Sequence, residues 1–459
     1  MKHNPHRFRE FGILLFAFVI INILGAKFQK QISYNDGKGW EGVAYYQVAQ
    51  QFAKGQPIAA EAPMVYRIGT PFLVSKVAPH DIFLGYKIVN AIANFLTLCL
   101  LVVWLRLYLR DWRVRTGLAL LFLIQWDTPV RWLWFCPAHT DPWLWVFLLS
   151  GLIAIHRYRE GENARLWLGA LCAISAVGVV FREVALVLPM MLLFARNPFG
   201  RQEALQTVRH DDGSLWLDLN PKTSRIRLQW SDLLPLVCGV IVWLLVKNLA
   251  TPTEEFSFLR TAVQWLRVKS PINYLHGWML AYGVVIFLPM FFWRQAWAFL
   301  KTRQDFVVYL LFFVLMGYIG GTDTERLLYW SMPVVFVMTG KVVENNHVIL
   351  RSTPLLLFLG VCQLIASRAF LLIPDYTHGI ESHSIPIFTP LWNAYFMDLF
   401  SFHGTPKVMW ISLLEYVAFA GIFCFWLARR RAIMTRHMAG YAVVKNTATS
   451  RPKRLVSRQ

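Results

Sequence analysis

At 459 residues, 56% hydrophobic and 15% aromatic with only 16% charged, and with a mean hydropathy of +0.43, the chain is too apolar for a water-soluble globule and falls in the membrane class. The formal net charge of +20 would suit a nucleic-acid binder, but the basic residues stand in short clusters between apolar runs, as in loops held at a cytoplasmic face, which argues against nucleic acid as a partner. The six cysteines (Cys99, Cys136, Cys172, Cys238, Cys362 and Cys424) are scattered through apolar segments with no CxxC or Cys/His spacing, so neither a disulfide framework nor a zinc site is expected.

In chain order, residues 1–10 carry Lys2, Arg7 and Arg9 ahead of the apolar run Phe11 to Ala26. A basic start of this kind also describes a secretory signal, but no clear small-x-small site follows and the later topology uses this span. With the amino terminus in the cytoplasm, residues 29–80 form the first external loop. Within it Ala44, Tyr45, Val48, Ala49 and Phe52 share one helical face, and Gln47, Gln50, Gln51 and Lys54 the other. This predicts a short helix along the membrane surface, stopped by Gly55 and Pro57.

The span Ile82 to Leu109 ends in Arg106, Arg110, Arg113 and Arg115. Thr116 to Trp126 then leads outward to Asp127, Arg131, His139 and Asp141, and Pro142 to Ile155 returns to Arg157, Arg159 and Arg165. Leu166 to Phe181 goes out to Arg182 and Glu183, and Val184 to Ala195 returns. Several of these spans are too short to cross about 30 Å, which predicts that their polar junctions are recessed into the protein.

A basic cytoplasmic loop follows at 196–230, with a hairpin expected between His210 and Pro221. Ser231 to Leu249 goes out to a second external segment holding Glu254, Glu255, Arg260 and Arg267; His276 to Trp293 returns, and Phe306 to Gly321 leads to Asp323, Glu325 and Arg326. Leu327 to Val342 comes back, Thr353 to Pro374 reaches a last external loop at 375–406, and Met409 to Ala428 returns to a basic tail at 429–459. The reading is an all-α polytopic membrane protein of about twelve transmembrane helices, in the cell (inner) membrane, with one transmembrane domain at 11–428 and both termini cytoplasmic.

By this topology about thirty of the 46 Lys and Arg residues are cytoplasmic. The isolated acids and arginines, Asp36, Glu41, Arg67, Asp127, Asp141, Arg182, Glu183, Asp323, Glu325 and Arg326, are all external. Each has a plain structural explanation: Asp127 and Asp141 as helix caps, Arg182 with Glu183 as a local ion pair, Arg326 reaching for the interface. Ionisable side chains beside apolar spans are nevertheless costly, and their shared sidedness predicts a single external site at the membrane edge.

The pattern of Asp36, then Tyr45, Tyr46 and Ala49, then Tyr66, Arg67, Pro71 and Phe72, followed by Asp141 with Pro142, Arg182 with Glu183, and Asp323 to Arg326 before Pro333, resembles bacterial members of the GT-C superfamily of membrane glycosyltransferases. The resemblance covers roughly residues 10 to 340 and rests on spacing rather than on one motif. It implies a GT-C-like fold, a polyprenyl-phosphate-linked sugar as donor, membrane lipid around it, and a glycan, lipid or protein acceptor. It also implies a catalytic acid in the first external loop, a role that maps to Asp36. The adjacent acidic pair of well-described families is absent here, Glu41 standing five residues on.

Sugar transfer with inversion needs a carboxylate to take the acceptor's proton and cations at the leaving phosphate. Asp36, with Glu41, is the expected catalytic pair; Arg67, Arg182 and Arg326 are the expected phosphate-side cations, because a guanidinium matches phosphate oxygens as a fork. Asp141, Glu183, Asp323, Glu325, Tyr45 and Tyr46 are the expected orienting or substrate-binding groups. No ligand spacing specifies a metal, and a divalent ion on Asp36, Asp141 or His139 stays open as an alternative. A transporter or flippase is the main rival, but its charges would sit near the bilayer midplane in two related halves, and no such repeat is visible. A lipid-linked glycan polymerase or ligase, or a scaffold, would share the same loops.

Overall fold

The computed structural model describes residues 5–161, 163–195, 204–209, 215–220, 230–321, 323–350, 352–367, 369, 372–373, 375, 410, 413–430 and 432–433. A 24-residue helix α1 (Pro5–Phe28) leads into the first polar loop, which carries α2 (Gly42–Lys54), the short strand β1 (Ile58–Ala60) and α3 (Gly69–Val77). The long α4 (Ile82–Tyr108) is followed by α5 (Trp112–Ile124), α6 (Pro129–Phe135), α7 (Asp141–Glu160), α8 (Ala164–Phe181) and α9 (Val187–Ala195). An antiparallel pair, β2 (Ala204–Arg209) with β3 (Leu215–Asn220), precedes α10 (Leu234–Leu249). The strand β4 (Ala250–Pro252) pairs in parallel with β1, Ile58 opposite Ala250, and so ties the second polar segment to the first. The chain continues through α11 (Phe258–Val268), α12 (Pro271–Tyr282), α13 (Phe287–Phe291), α14 (Trp293–Lys301), α15 (Gln304–Ile319), α16 (Thr324–Tyr329), α17 (Met332–Asn345), α18 (His347–Leu350) and α19 (Thr353–Ala366).

This is an all-α multi-pass membrane protein. Among the described residues five helices are long and apolar enough to cross a bilayer, Phe8–Phe28, Ile82–Tyr108, Ala164–Phe181, Trp230–Leu249 and Pro271–Phe291. A sixth is counted if α14 and α15, bent by 115°, make one span. The other apolar segments are short or broken, and the chain satisfies their freed backbone groups internally, as an apolar solvent demands. Along α4, Asn90, Asn94 and Thr97 form a polar stripe at helical spacing. Asn90 Nδ2 donates to the carbonyls of Pro137 (2.9 Å) and His139 (3.0 Å), Asn94 to Pro129 (3.2 Å) and Thr97 to Pro142 (3.4 Å). The irregular stretch 125–142 is thereby held inside the protein, where Gln125, Asp127, Thr128, Thr140 and Asp141 are all buried. Where α12 breaks at Gly283, Gln363 on α19 donates to Tyr282 O and accepts from Val285 N.

The helix expected in the first polar loop forms over Gly42–Lys54 and stops at Gly55, whose left-handed backbone caps it. Its apolar face is not turned to lipid: Ala44, Tyr45, Val48 and Ala49 are buried against Val65, Val74 and Tyr86 on neighbouring elements. Protein covers the stripe because α3 folds back across it. The expected last external loop lies outside the described residues beyond Asp375, as does the basic tail beyond Ile433.

Near the amino-terminal end of α1, Glu10 fastens that helix to its neighbours. It is fully buried in α1 and shared between Arg106 (2.8 Å) and Arg115 (2.9 Å). Removing one partner of a buried ion pair strands the others, so Glu10→Ala is expected to destabilise by roughly 3 kcal/mol, the low end of the usual range because Arg106 is partly exposed. Thermal unfolding in detergent checks this, and an unchanged midpoint would show that the triad does not hold α1 in place.

Candidate functional site

Residues 34–39 fold into a tight turn in which Gly39 N donates to Tyr34 O and Lys38 N to Asn35 O. Asn35 and Asp36 both take positive φ (51° and 54°), a conformation that short polar side chains tolerate better than most. The turn points Asp36 into solvent with its side chain 94% exposed and only Lys38 Nζ, 3.5 Å away, for company. Asp36 therefore does not join the arginines. The acid that does is Glu41, which closes the turn and stands at the N-cap of α2.

Two glycines bring Glu41 and Arg67 to their partners. A Cβ at Gly42 would lie 2.8 Å from the Ala138 carbonyl, so only glycine lets the start of α2 approach the stretch that ends in Asp141. A Cβ at Gly69 would lie 2.7 Å from the Phe181 ring, so only glycine lets α3 start against the end of α8, next to Arg182 and Glu183. The single turn Met64–Tyr66 then delivers Arg67 inward, 6% exposed. Its Nε and Nη2 grip Glu183 at 2.9 and 2.5 Å, and its Nη1 donates to Tyr45 Oη at 2.7 Å. Tyr45 Oη in turn donates to Glu41 Oε2 at 3.4 Å.

Arg182 and Glu183 are not a local pair. The backbone is extended at Arg182, so the two side chains diverge: Glu183 goes to Arg67, and Arg182 turns to Asp141 at the first turn of α7 and to Thr140 Oγ1 (3.4 Å), its guanidinium lying 4.6 Å from the Trp330 ring centre. Arg326, on α16, closes the circuit. Its Nη2 reaches Asp323 (2.6 Å) and Glu41 (3.3 Å), and its Nε lies 3.8 Å from Asp141. Eight of the expected residues, Glu41, Tyr45, Arg67, Asp141, Arg182, Glu183, Asp323 and Arg326, thus form one connected group drawn from the first polar loop, the start of α7, the end of α8 and the start of α16.

The group sets three guanidiniums, Arg67, Arg182 and Arg326, against four carboxylates, Glu41, Asp141, Glu183 and Asp323. Arg67 is fully engaged. Arg182 Nε and Arg326 Nε, by contrast, are buried and make no hydrogen bond, Arg326 Nε standing 3.8 Å from Asp141, so that neither N–H is satisfied at hydrogen-bond length. Burial alone would raise the Glu41 pKa, but Arg326, Arg182 and Arg67 outweigh it and hold it down to about 2. Burial pushes His139 down to about 4 against its bond to the Cys136 carbonyl (2.7 Å), so this imidazole is neutral near pH 7. No set of three His, Cys, Asp or Glu side chains among the described residues converges as a metal site; Arg326 stands between Glu41 and Asp141.

Tyr46 and Glu325 are not part of the group. Tyr46 packs on Phe83 (4.9 Å between ring centres), and Glu325 is buried where its charge acts on Lys269. Thr140, Trp330 and Tyr86, whose hydroxyl holds the Tyr45 carbonyl at 2.8 Å, were not singled out from the sequence. Thr140 sits beside Asp141, but nothing local marks Trp330 or Tyr86.

No protein-family model and no curated protein matches the chain. Among solved structures it is similar to the crystal structure of the Archaeoglobus fulgidus oligosaccharyltransferase in the apo form, with a TM-score of 0.45 and 12% identity, covering 92% of this chain and 56% of that one. The archaeal oligosaccharyltransferase AglB from Archaeoglobus fulgidus, in complex with an inhibitory peptide and a dolichol-phosphate, gives a TM-score of 0.45 and 12% identity over 93% and 56%. ArnT from Cupriavidus metallidurans, bound to undecaprenyl phosphate, gives 0.49 and 13% over 97% and 82%. The chain thus spans 56% of the length of the two oligosaccharyltransferase structures.

Because the folded-state pKa of Glu41 lies below its ordinary 4.5, its ion pairs stabilise the fold above about pH 4.5, and that contribution disappears as pH falls toward 2. Glu41→Gln is expected to lower the unfolding midpoint at pH 7 and to show a shallower loss between pH 5 and 3, measured by a thermal series. Parallel curves for the two proteins would show that Glu41 is not charged and paired in the fold.

Proposed function

We propose that the protein is a membrane glycosyltransferase that moves a sugar from a polyprenyl-phosphate donor to an acceptor, with the group around Glu41 as its reaction site. The observation that carries this reading is the convergence of Glu41 and Asp141 with two guanidiniums, Arg182, whose Nε–H meets no acceptor, and Arg326, whose Nε–H has only the Asp141 carboxylate at 3.8 Å, beyond hydrogen-bond length. Transfer of this kind makes the bond between the acceptor oxygen and the anomeric carbon, breaks the bond from that carbon to the phosphate oxygen, and moves the acceptor's proton to a base. In this reading Glu41 takes the proton, and Arg182 and Arg326 receive the leaving phosphate.

Arg67 acts at one remove. Its bidentate contact with Glu183 and its bond to Tyr45 fix the side of the pocket on which Glu41 stands. A carboxylate held at about 2 is a weak base. An anionic phosphate beside Arg182 and Arg326 offsets the charges that hold Glu41 down and so raises its basicity when the donor is in place. With four carboxylates already facing three guanidiniums, a phosphodiester adds a further negative charge, which a proton or a divalent cation would balance. The site faces the extracytoplasmic side of the inner membrane in this proposal, with about twelve passes and cytoplasmic termini.

The test is transfer of labelled sugar from a polyprenyl-phosphate donor by the purified protein in lipid, with and without a chelator. Glu41→Gln is expected to lower turnover by roughly a hundredfold or more, the usual worth of a positioned base, while Asp36→Asn stays within a factor of a few of the natural protein. The opposite ranking would return the base to Asp36, and full turnover in both would remove a carboxylate base from this loop.

A further inference from the structure

Between α10 and α12, on the side of the molecule that holds the site, lies an eleven-residue helix that the proposed reaction does not use. The parallel pairing of β1 with β4 and the contacts of Lys269 both fix its side: Lys269 Nζ donates to Gly317 O (2.8 Å) and Gly321 O (2.7 Å), two residues before Asp323. α11 is well made. Ser257 caps its start by accepting from Arg260 N, and Thr261 Oγ1 donates to Ser257 O.

At 100° per residue, Trp265, Phe258, Ala262, Leu266, Leu259 and Val263 fall within an arc of about 160°. Within that arc only Ala262 is buried and Trp265 half-buried, while Phe258 between them is 52% exposed. Leu259 (74%), Leu266 (57%) and Val263 (40%) lie open. The opposite face presents Arg260, Gln264 and Arg267, all exposed. Glu254 and Glu255 precede the helix and are not on it.

We propose that α11 is a membrane-surface helix whose occupant is the bilayer interface itself, its leucines among the upper acyl chains and Arg260 and Arg267 on anionic headgroups. Two observations choose the bilayer over a protein partner. Two residues separate α11 from α12, the start of the membrane span Pro271–Phe291, so the end of the helix stays within about 10 Å of that span's boundary. The helix also has the form of an interfacial one, a broad apolar face backed by a basic one with little hydrophobicity on average. Through Lys269, which caps the end of α15, such docking steadies the loop that carries Asp323 and Arg326. The inference itself stands whatever the site transfers.

The test reads burial directly. Leu259→Cys and Gln264→Cys are reconstituted separately in nanodiscs, once with zwitterionic lipid and once with one-third anionic lipid, and treated with a membrane-impermeant maleimide. Peptide mass spectrometry identifies the modified position, so the six natural cysteines do not interfere. Both positions are exposed, so neither change threatens folding. Position 264 is expected to react at least tenfold faster than 259. Anionic lipid should widen the gap, and Arg260→Ala with Arg267→Ala should cancel the effect of lipid charge. Equal rates at 259 and 264 in bilayers, or equal shielding of both, would overturn the proposal, the first showing a helix in water and the second a helix covered on all sides.

Discussion

The site depends on a divergence of two neighbouring side chains. Arg182 follows α8 with extended backbone and Glu183 opens the 3-10 turn Glu183–Leu186, so the two point apart, one to Asp141 and the other to Arg67. A local pair would have neutralised both and left nothing to join. Because they diverge, the end of α8 is tied to the first polar loop through Arg67 and to the start of α7 through Asp141. Arg326 then bridges the two arms from α16. The outer pairs of Glu41, Glu183, Asp323 and Arg326 are partly exposed and alone would be a poor stability argument, but Arg67, Arg182 and Asp141 are buried, and removing any one of these leaves its partners uncompensated.

The membrane explains why the surrounding chain is built as it is. Short apolar segments with polar junctions cannot stand in lipid, and here they are recessed against a stripe of Asn90, Asn94 and Thr97 that takes up the carbonyls of the junction between α5 and α7. The same junction ends in Thr140 and Asp141, so the device that makes the fold tolerable in an apolar solvent also delivers an acid to the site. Gly42 and Gly69 complete the arrangement by letting α2 and α3 come close enough to share it.

Much of this was legible in the sequence, for a physical reason. Ionisable residues are so expensive beside apolar runs that Glu41, Arg67, Asp141, Arg182, Glu183, Asp323 and Arg326 stood out individually and were expected to meet in one site, but the same reasoning also included Asp36 and Glu325, which do not join them. What the sequence did not reveal was direction. Asp36 and Glu41 look equivalent as letters, but the run of Asn35, Asp36, Gly37 and Lys38 is turn chemistry, and the turn aims Asp36 outward. Likewise the apolar stripe of α2 suggested lipid, whereas α3 supplies the surface that buries it. The packing of Trp330 under Arg182 and of Tyr86 under Tyr45 depends on tertiary contacts that no local pattern encodes.

In the proposed reaction the guanidiniums of Arg182 and Arg326, neither of which has its Nε–H satisfied at hydrogen-bond length, receive the phosphate of a polyprenyl carrier. The most direct test of this is equilibrium binding of a polyprenyl phosphate, without sugar or acceptor, to the protein in nanodiscs. Arg326→Ala should weaken binding at least tenfold, a loss of about 1.4 kcal/mol, with Arg326→Lys restoring only part because it lacks the planar fork. Asp36→Asn should leave binding unchanged. Undiminished affinity in Arg326→Ala and Arg182→Ala alike would place the phosphate elsewhere in the protein.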